Sequence, residues 1–395
     1  MIIDNITIII GAVLVVLALV TPLLNGFFRK PSVNEGLSQT PSDDETETAD
    51  NNCSPQAPQP KVSILLTPHD NVQELERNLP AYLEQDYAAG YEVIVVTWQG
   101  DQESEELLKR YKDNPLLYCT YIPDSSRYMS REKLAVTIGV KAAKNEWVLM
   151  ADIHTRPDSN QWLKTLARNC TEFKNLVIGY VRFNEETGAY KRFETFLRDC
   201  YLMSEAQKGH PFRCGSHCLM FRKSEFMAAD GFKGNLKYLQ GEYDFMVNKY
   251  AREGSVALEN APEAWMTADT PTDKTWKDFH LFYLEHRKHL NGGIGHCLKY
   301  AFDQIAMHVN YLLEIATIVF ATLTQRWLLT GIATIALTIT VVLRIVIARK
   351  AFKRFDVNIS RWAIVPFELG LCWHALFHRI SYWRADKTEF ISHKL

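Results

Sequence analysis

The 395-residue chain lacks an excess of either charge, with 44 Lys and Arg against 46 Asp and Glu and a formal net charge of −2. Without a basic surplus there is no electrostatic footprint for nucleic acid, which excludes nucleic-acid binding as its main business. Zinc-type cysteine spacing is also missing. The eight cysteines, Cys53, Cys119, Cys170, Cys200, Cys214, Cys218, Cys297 and Cys372, are scattered, and they read as reduced core thiols in a cytosolic setting. Residues 6–28 contain no charged side chain, and residues 31–60 almost no large apolar one. The first absence leaves a run long enough to cross a hydrocarbon core at about 1.5 Å per residue. The second leaves a stretch that cannot bury a core, with the Asp43-Asp44-Glu45-Thr46-Glu47 cluster in it, so 31–60 is expected to be a disordered acidic linker. The apolar run has no basic start and no small-residue cleavage site, so 1–30 reads as a retained transmembrane anchor rather than a signal peptide. Arg29 and Lys30 follow it while only Asp4 precedes it, which places the next domain in the cytoplasm.

What is present is 47% hydrophobic side chains, enough for a full core and membrane segments besides. From residue 61 strand and helix signals alternate. Val62 to Leu66 is a short apolar strand, 73–84 has helical spacing in Leu75, Leu79 and Tyr82, Glu92 to Val96 is strand, and 103–111 is helix. Leu117 to Ile122, a helix at about 130–143 and a strand from Trp147 to Ala151 complete a βαβαβαβ series. Such alternation implies a mainly parallel sheet with helices on both faces, and ligands in such sheets bind at the carboxyl ends of the strands. The last strand ends in Asp152 and His154, ahead of Pro157. At i and i+2 on an extended chain both side chains point the same way, so one cation can bridge them.

Several stretches together resemble a family 2 glycosyltransferase. Val-Ser-Ile-Leu-Leu-Thr-Pro-His-Asp-Asn at 62–71, Leu-Glu-Gln-Asp-Tyr at 83–87 and Tyr-Glu-Val-Ile-Val-Val at 91–96 look like its opening. Lys133 lies in a helix ahead of the central strand, Asp152-Ile153-His154 stands where the family has Asp-x-Asp, and Gly215-Ser216-His217-Cys218-Leu219-Met220-Phe221-Arg222 resembles its acceptor-side strand. Asp230-Gly231-Phe232 and Gln240-Gly241-Glu242-Tyr243-Asp244-Phe245 are similar to its Gly-Phe and Glu-Asp-x-Asp region. The likeness covers roughly residues 61–290.

The resemblance implies a GT-A fold, a Rossmann-like α/β domain over about 61–275, and a nucleotide-sugar donor. It implies Glu242 as the base that deprotonates an acceptor hydroxyl during inverting transfer, with Asp244 as the second acid. The implied donor contacts are Pro68, Asp70, Thr97, Asp101, Lys133 and Asp152. Asp152 and His154 are the implied ligands of Mn²⁺ or Mg²⁺; an imidazole beside a carboxylate tilts the preference toward Mn²⁺ or another transition metal. Two departures stand out. Thr97 occupies the position where the family has an acid for the base or ribose, leaving Asp70 and Asp101 to share that work and Trp98 to stack on a base. Asp-x-His also replaces Asp-x-Asp. Arg131 and Lys133 either reach a pyrophosphate or are solvated, and His217 either faces a sugar or is structural.

Toward the end of the chain, residues 276–290 mix aromatics with bases at helical spacing, which suits a membrane-surface helix over 276–300. Phe279, Phe282 and Tyr283 would sit in the headgroup layer and Arg287 and Lys288 near anionic lipid. Residues 301–350 read as a transmembrane hairpin broken at Gln325-Arg326, and Arg349, Lys350, Lys353 and Arg354 put its far end in the cytoplasm. Glu314 inside a span either lines a lipid-acceptor groove or marks that span as tilted or interfacial. Residues 351–395 form a cytoplasmic or interfacial tail, with a half-buried surface helix near 363–379.

The expectation is a multi-pass enzyme of the inner (plasma) membrane with a cytoplasmic catalytic domain. It would move a sugar from a nucleotide donor to a lipid-linked or other glycan acceptor in envelope glycan synthesis, in contact with membrane lipids. The competing expectation is a catalytically silent membrane scaffold of the same fold, or a nucleotide-sugar-binding partner.

Overall fold

A computed structural model describes residues 5–29, 31–34, 59–69, 71–122 and 130–391. Asp70, Cys53 and nearly all of the 31–60 linker therefore lie outside the described residues. In chain order the elements are α1 (Asn5–Val20), β1 (Val62–Leu66), α2 (Val72–Leu83), β2 (Tyr91–Trp98), α3 (Gln102–Lys109), β3 (Leu117–Ile122), α4 (Arg131–Ala142) and β4 (Trp147–Ala151). They continue with β5 (Thr155–Pro157), α5 (Trp162–Ala167), β6 (Leu176–Gly179), β7 (Val181–Phe183), α6 (Ala189–Gln207), β8 (Cys218–Arg222), α7 (Lys223–Ala228), α8 (Glu242–Tyr250) and β9 (Val256–Glu259). The chain closes with β10 (Met266–Ala268), α9 (Asp273–His286), α10 (Gly293–Leu323), α11 (Trp327–Arg354) and α12 (Ile364–Arg384). Two compact units result. One is helical and takes Met1–Pro31, Gly188–Ser204 and Gly292–Ser381; the other holds the sheets and takes Ser32–Thr187, Glu205–Asn291 and Tyr382–Leu395.

The sheet unit is built on seven strands in the order β3-β2-β1-β4-β8-β6-β9. Only β8 runs against the rest, pairing antiparallel with β4 and β6, so the sheet is mainly parallel. Strands buried on both faces should read as unbroken apolar runs. Trp147–Ala151 does, and Val62–Leu66 does apart from Ser63, whose hydroxyl donates to Glu92 at 2.7 Å; every residue of both is buried. A second sheet of three strands, β5-β10-β7, adjoins the loops that follow β4. Helix α4 lies directly on β1: a Cβ added at Gly139 would come within 2.2 Å of Leu65 Cδ1, so the close approach depends on glycine.

Among the described residues three helical segments are long and apolar enough to cross a membrane, Thr7–Leu24, Gly295–Leu323 and Trp327–Arg354. All belong to the helical unit, which buries its charges in pairs. Arg344 of α11, fully buried, donates to Glu368 of α12 at 3.2 Å and to the Thr21 carbonyl at 3.3 Å, and lies 3.9 Å from Asp303 of α10. Glu314 accepts from the Thr340 hydroxyl at 2.7 Å and from Asn310 at 3.1 Å. One oxygen of the carboxyl that the sequence flags is thus hydrogen-bonded within α10 and across to α11, which offsets part of its desolvation.

Gly139→Val should lower the unfolding midpoint of the sheet unit. Valine's added bulk meets a buried leucine, and overpacking of this kind costs about 1–3 kcal/mol. Thermal or denaturant unfolding of the purified full chain in detergent checks this.

Candidate active site

The site begins at the carboxyl end of β4. The strand stops at Ala151, and Asp152 Oδ1 accepts the backbone N–H of His154 at 3.0 Å. The Asp152 carbonyl accepts from both the N–H and the hydroxyl of Thr155, at 3.0 and 2.6 Å. This Asx-type turn ends the extended conformation, because the aspartate side chain substitutes for a strand partner. From α2, Asn78 donates to the Ile153 carbonyl at 2.7 Å and the Tyr82 hydroxyl to the Thr155 carbonyl at 2.8 Å, so the turn is pinned from below.

The turn alters the expected pairing. The i/i+2 argument needs an extended chain through His154, and the chain is not extended there. His154 is exposed, with its Nε2 at 2.5 Å from the side-chain nitrogen of Asn71. Asp152 Oδ2 instead meets His217 Nδ1 at 2.9 Å. Strand register explains this partner: Ala151 pairs with Cys218 across β4 and β8, so the next residue on one strand faces the preceding residue on the other. Burial pushes the Asp152 carboxyl upward, but the hydrogen bond and charge of His217, helped by His154, outweigh it and hold the group well below the usual carboxylate range.

Glu242 opens α8, presented by Gly241 in the left-handed region at φ 93°. A Cβ on Gly241 would sit 2.8 Å from Cγ of His286, so glycine is required on both grounds. Glu242 Oε2 is buried with no hydrogen-bond partner. Close by, Glu132 of α4 accepts a hydrogen bond from the Thr67 hydroxyl. Burial and then the Glu242 carboxylate raise Glu132 to about 8, with Asp152 adding to the effect. Between them lies Tyr243, whose ring stacks on His217 with centroids 5.2 Å apart and 12° between planes. Burial first, then the Asp152, Glu242 and Glu132 carboxylates, push its phenol far upward. The charges of three acids from three elements thus reach one neutral tyrosine.

Other expected site residues have work within the protein. Asp244 is buried and accepts from the Gly215 N–H at 3.2 Å, Arg213 at 3.4 Å and His286 Nε2 at 3.1 Å. Burial opposes its ionisation, but Arg213 and then His286 hold it well below the usual range. It ties the loop before His217 to α8 and α9, which makes it a positioning residue. Lys133 is fully buried, and its Nζ donates to the Tyr238 carbonyl and, at 3.2 Å, to the Gln240 carbonyl. Lys133 is therefore not solvated, which corrects that alternative. Burial lowers its pKa to about 8, against the pull of Glu242 and Glu132. Asp101 caps α3, accepting from the Ser104 N–H at 3.1 Å. Pro68, just past β1, and Thr97, at the end of β2, are buried, and the Thr97 hydroxyl has no hydrogen-bond partner. Trp98 lies under the Arg131 guanidinium, 4.4 Å from the ring centroid, with the His69 ring 5.5 Å away.

The aromatics of α9 are half-buried and meet partners within the sheet unit. Tyr283 lies beneath Arg213, whose guanidinium is 4.0 Å from its ring, Phe279 is 6.5 Å from the His217 ring, and Phe282 packs on Phe390 at 5.2 Å. The buried Leu281, Leu284 and His286 set which face is inward. Sequence reasoning missed Glu132, Arg213 and His286. The signal available for Glu132 was its place beside Lys133, one position from the residue singled out.

Among the described residues no group of three or more His, Cys, Asp or Glu side chains is arranged to hold a metal ion. The donors at hand are the ionised Asp152 carboxylate and the exposed His154 imidazole. That set fits a divalent ion whose remaining ligands are diphosphate oxygens and water, as is usual for Mg²⁺ and Mn²⁺ at phosphate sites, and does not fit a protein-caged ion.

With this geometry in hand the chain can be set beside known proteins. No family model matches it, and no curated protein matches it by sequence. In fold it is similar to the mannosyltransferase PcManGT from Pyrobaculum calidifontis, solved with GDP-Man and Mn²⁺, at 14% identity and a TM-score of 0.53, over 95% of this chain and 98% of that one. TarS 1–349 from S. aureus, solved with UDP-GlcNAc, follows at 12% identity and a TM-score of 0.40, over 56% of this chain and 64% of that one. These structural neighbours are glycosyltransferases bound to nucleotide sugars. What the first likeness shows is the fold: mixed α/β with a mainly parallel seven-stranded sheet, accompanied among the described residues by three apolar helices.

Glu132 links the site to stability. It binds its proton near an ordinary 4.5 when unfolded and near 8 when folded. The folded chain therefore holds an extra proton between these values, and the associated stability is full below about pH 4.5 and is lost as pH rises through about 8. Glu132→Gln, neutral at every pH, should leave the unfolding midpoint near wild type at pH 5 and raise it at pH 9, as thermal unfolding at the two pH values would show.

Proposed function

We propose that the protein is a membrane-bound glycosyltransferase of GT-A type and family 2 character. It transfers a hexosyl group with inversion from a nucleotide-sugar donor to a lipid-linked or other glycan acceptor in envelope glycan synthesis. The observation that carries this reading is the convergence of Asp152 and Glu242 on Tyr243 at the carboxyl end of the sheet, one acid held ionised and the other with an unpartnered buried oxygen.

The acceptor oxygen attacks the anomeric carbon as the bond to the diphosphate breaks, and Glu242 takes the hydroxyl proton. The protonated Glu132 beside it adds no second negative charge below about pH 8, so an anionic donor meets less repulsion. Asp152 and His154 would hold a divalent ion, Mn²⁺ or Mg²⁺. When bound it neutralises charge on the departing nucleoside diphosphate, as Lewis acids do. Trp98, held between Arg131 and His69, offers a face for the base, with the buried Thr97 hydroxyl as a donor nearby. The Tyr243–His217 stack offers an aromatic surface beside Asp152. The three apolar helices support a membrane location, and the basic residues after the first and third support a cytoplasmic sheet unit, in keeping with an inner-membrane enzyme in contact with lipids.

The test uses purified full chain with Mn²⁺, a panel of nucleotide sugars and a membrane lipid extract, reading nucleotide release. Glu242→Gln should cut turnover by about 10²–10⁴-fold, the usual contribution of a general base. Calorimetry supplies a second expectation: the nucleoside diphosphate of an active donor should bind more tightly with Mn²⁺ than with chelator, and Asp152→Ala should abolish the difference. Binding without turnover on every donor would mark the chain as the silent scaffold.

A further inference from the structure

The residues after Ser381 leave the helical unit and belong to the sheet unit. The Tyr382 hydroxyl donates to Glu285 at the end of α9 and accepts from Lys288 Nζ. Lys387 Nζ donates to the Tyr382 carbonyl and lies over its ring. Phe390, 5% exposed, inserts edge-on against Phe282 with centroids 5.2 Å apart and sits 5.7 Å from Tyr382. Beyond these side chains the backbone pairs. Leu239 N–H donates to the Phe390 carbonyl at 3.1 Å, and Tyr238 forms an antiparallel bridge with Ile391.

The partner segment, 236–241, is the one that presents Glu242. From its other side it is held by the start of α4: Ser130 N–H donates to the Leu236 carbonyl at 3.2 Å, Ser130 Oγ to the Leu239 carbonyl at 2.8 Å, and Lys133 to the Tyr238 and Gln240 carbonyls. Tyr238 also stacks on His289, centroids 4.5 Å apart, with its hydroxyl 2.6 Å from Nε2. Little of this segment has regular secondary structure, so its path is set by these outside partners. Gly241 follows in a conformation that glycine adopts freely, so a change in the path at Tyr238 and Leu239 passes readily to the direction of Glu242.

We infer that Tyr382–Ile391 is a positioning element of the candidate site: a strap that pairs with Tyr238 and Leu239, opposite Ser130 and Lys133, and fixes where Glu242 stands. This rests on the reading of Glu242 as the base. None of Asp152, Thr97 or Trp98 touches the strap in the contacts above, so donor binding and turnover should separate when it is lost.

The experiment compares the full chain with a chain ending at Asp386 and with Phe390→Ala. In the truncated chain, binding of the nucleoside diphosphate with Mn²⁺ should stay within about twofold of the full chain while kcat falls at least about tenfold and acceptor KM changes little. A synthetic peptide of residues 385–395 added in trans should restore part of kcat, which a merely unfolded site would not allow. Phe390→Ala should fall between the two chains. Amide hydrogen exchange gives a readout independent of activity: residues 236–241 should exchange faster without the strap, with β1, β4 and α4 unchanged. Wild-type kcat after truncation, or parallel loss of binding and turnover without rescue, would overturn the strap. If the full chain releases no nucleotide from any donor, the enzyme reading fails instead; faster exchange confined to 236–241 would then uphold the strap's positioning of that segment, and unchanged exchange would overturn it.

Discussion

One hydrogen bond organises the candidate site, that between Asp152 at the tip of β4 and His217 at the start of β8. A half-buried carboxylate is disfavoured by desolvation, and without an opposing partner it would take up a proton. His217 supplies the partner, and antiparallel register supplies His217, because pairing Ala151 with Cys218 leaves the two side chains facing each other. The rest follows in space: the imidazole lies flat on Tyr243, Tyr243 follows Glu242, and burial together with the Glu242 carboxylate holds Glu132 protonated. Moving β8 by one residue would turn His217 to the other face of the sheet and remove the carboxylate's counterpart.

Around that bond the protein separates charges that act from charges that hold. Asp244 and Lys133 are hydrogen-bonded to internal partners, and both hold the segments flanking Glu242. Glu242 Oε2 has no internal partner. Buried polar groups are nearly always satisfied, so an unsatisfied carboxylate oxygen in a cleft points to a ligand. The helical unit follows the same rule without the exception at Glu368, where Arg344 and Asn25 occupy both oxygens.

The fold was largely legible from the order of residues. Val62–Leu66 and Trp147–Ala151 are strands at those bounds because each is a short, mostly apolar run that a two-sided sheet buries, and Leu117–Ile122, rich in aromatic and β-branched residues, is the part-exposed edge strand. The helix breaks at Gln325 and Arg326, between two long apolar runs, where φ of Gln325 turns positive. The ring partners of Phe279, Phe282 and Tyr283 were not legible. Helical spacing says which side chains share a face, whereas the neighbours Arg213, His217 and Phe390 come from distant parts of the chain.

The sequence by itself determined the alternating elements, the apolar helices and the placing of an acid at the end of a central strand, because these depend on local periodicity and on which groups water rejects. Tertiary structure alone decided that the Asp152 carboxylate pairs with the His217 ring, that Lys133 is buried against the carbonyls of a distant loop, and that Glu132 keeps its proton. Each of those outcomes is set by charges and carbonyls that approach from distant parts of the chain, and hydrogen bonds and desolvation act over a few ångströms of space, whatever the separation in sequence.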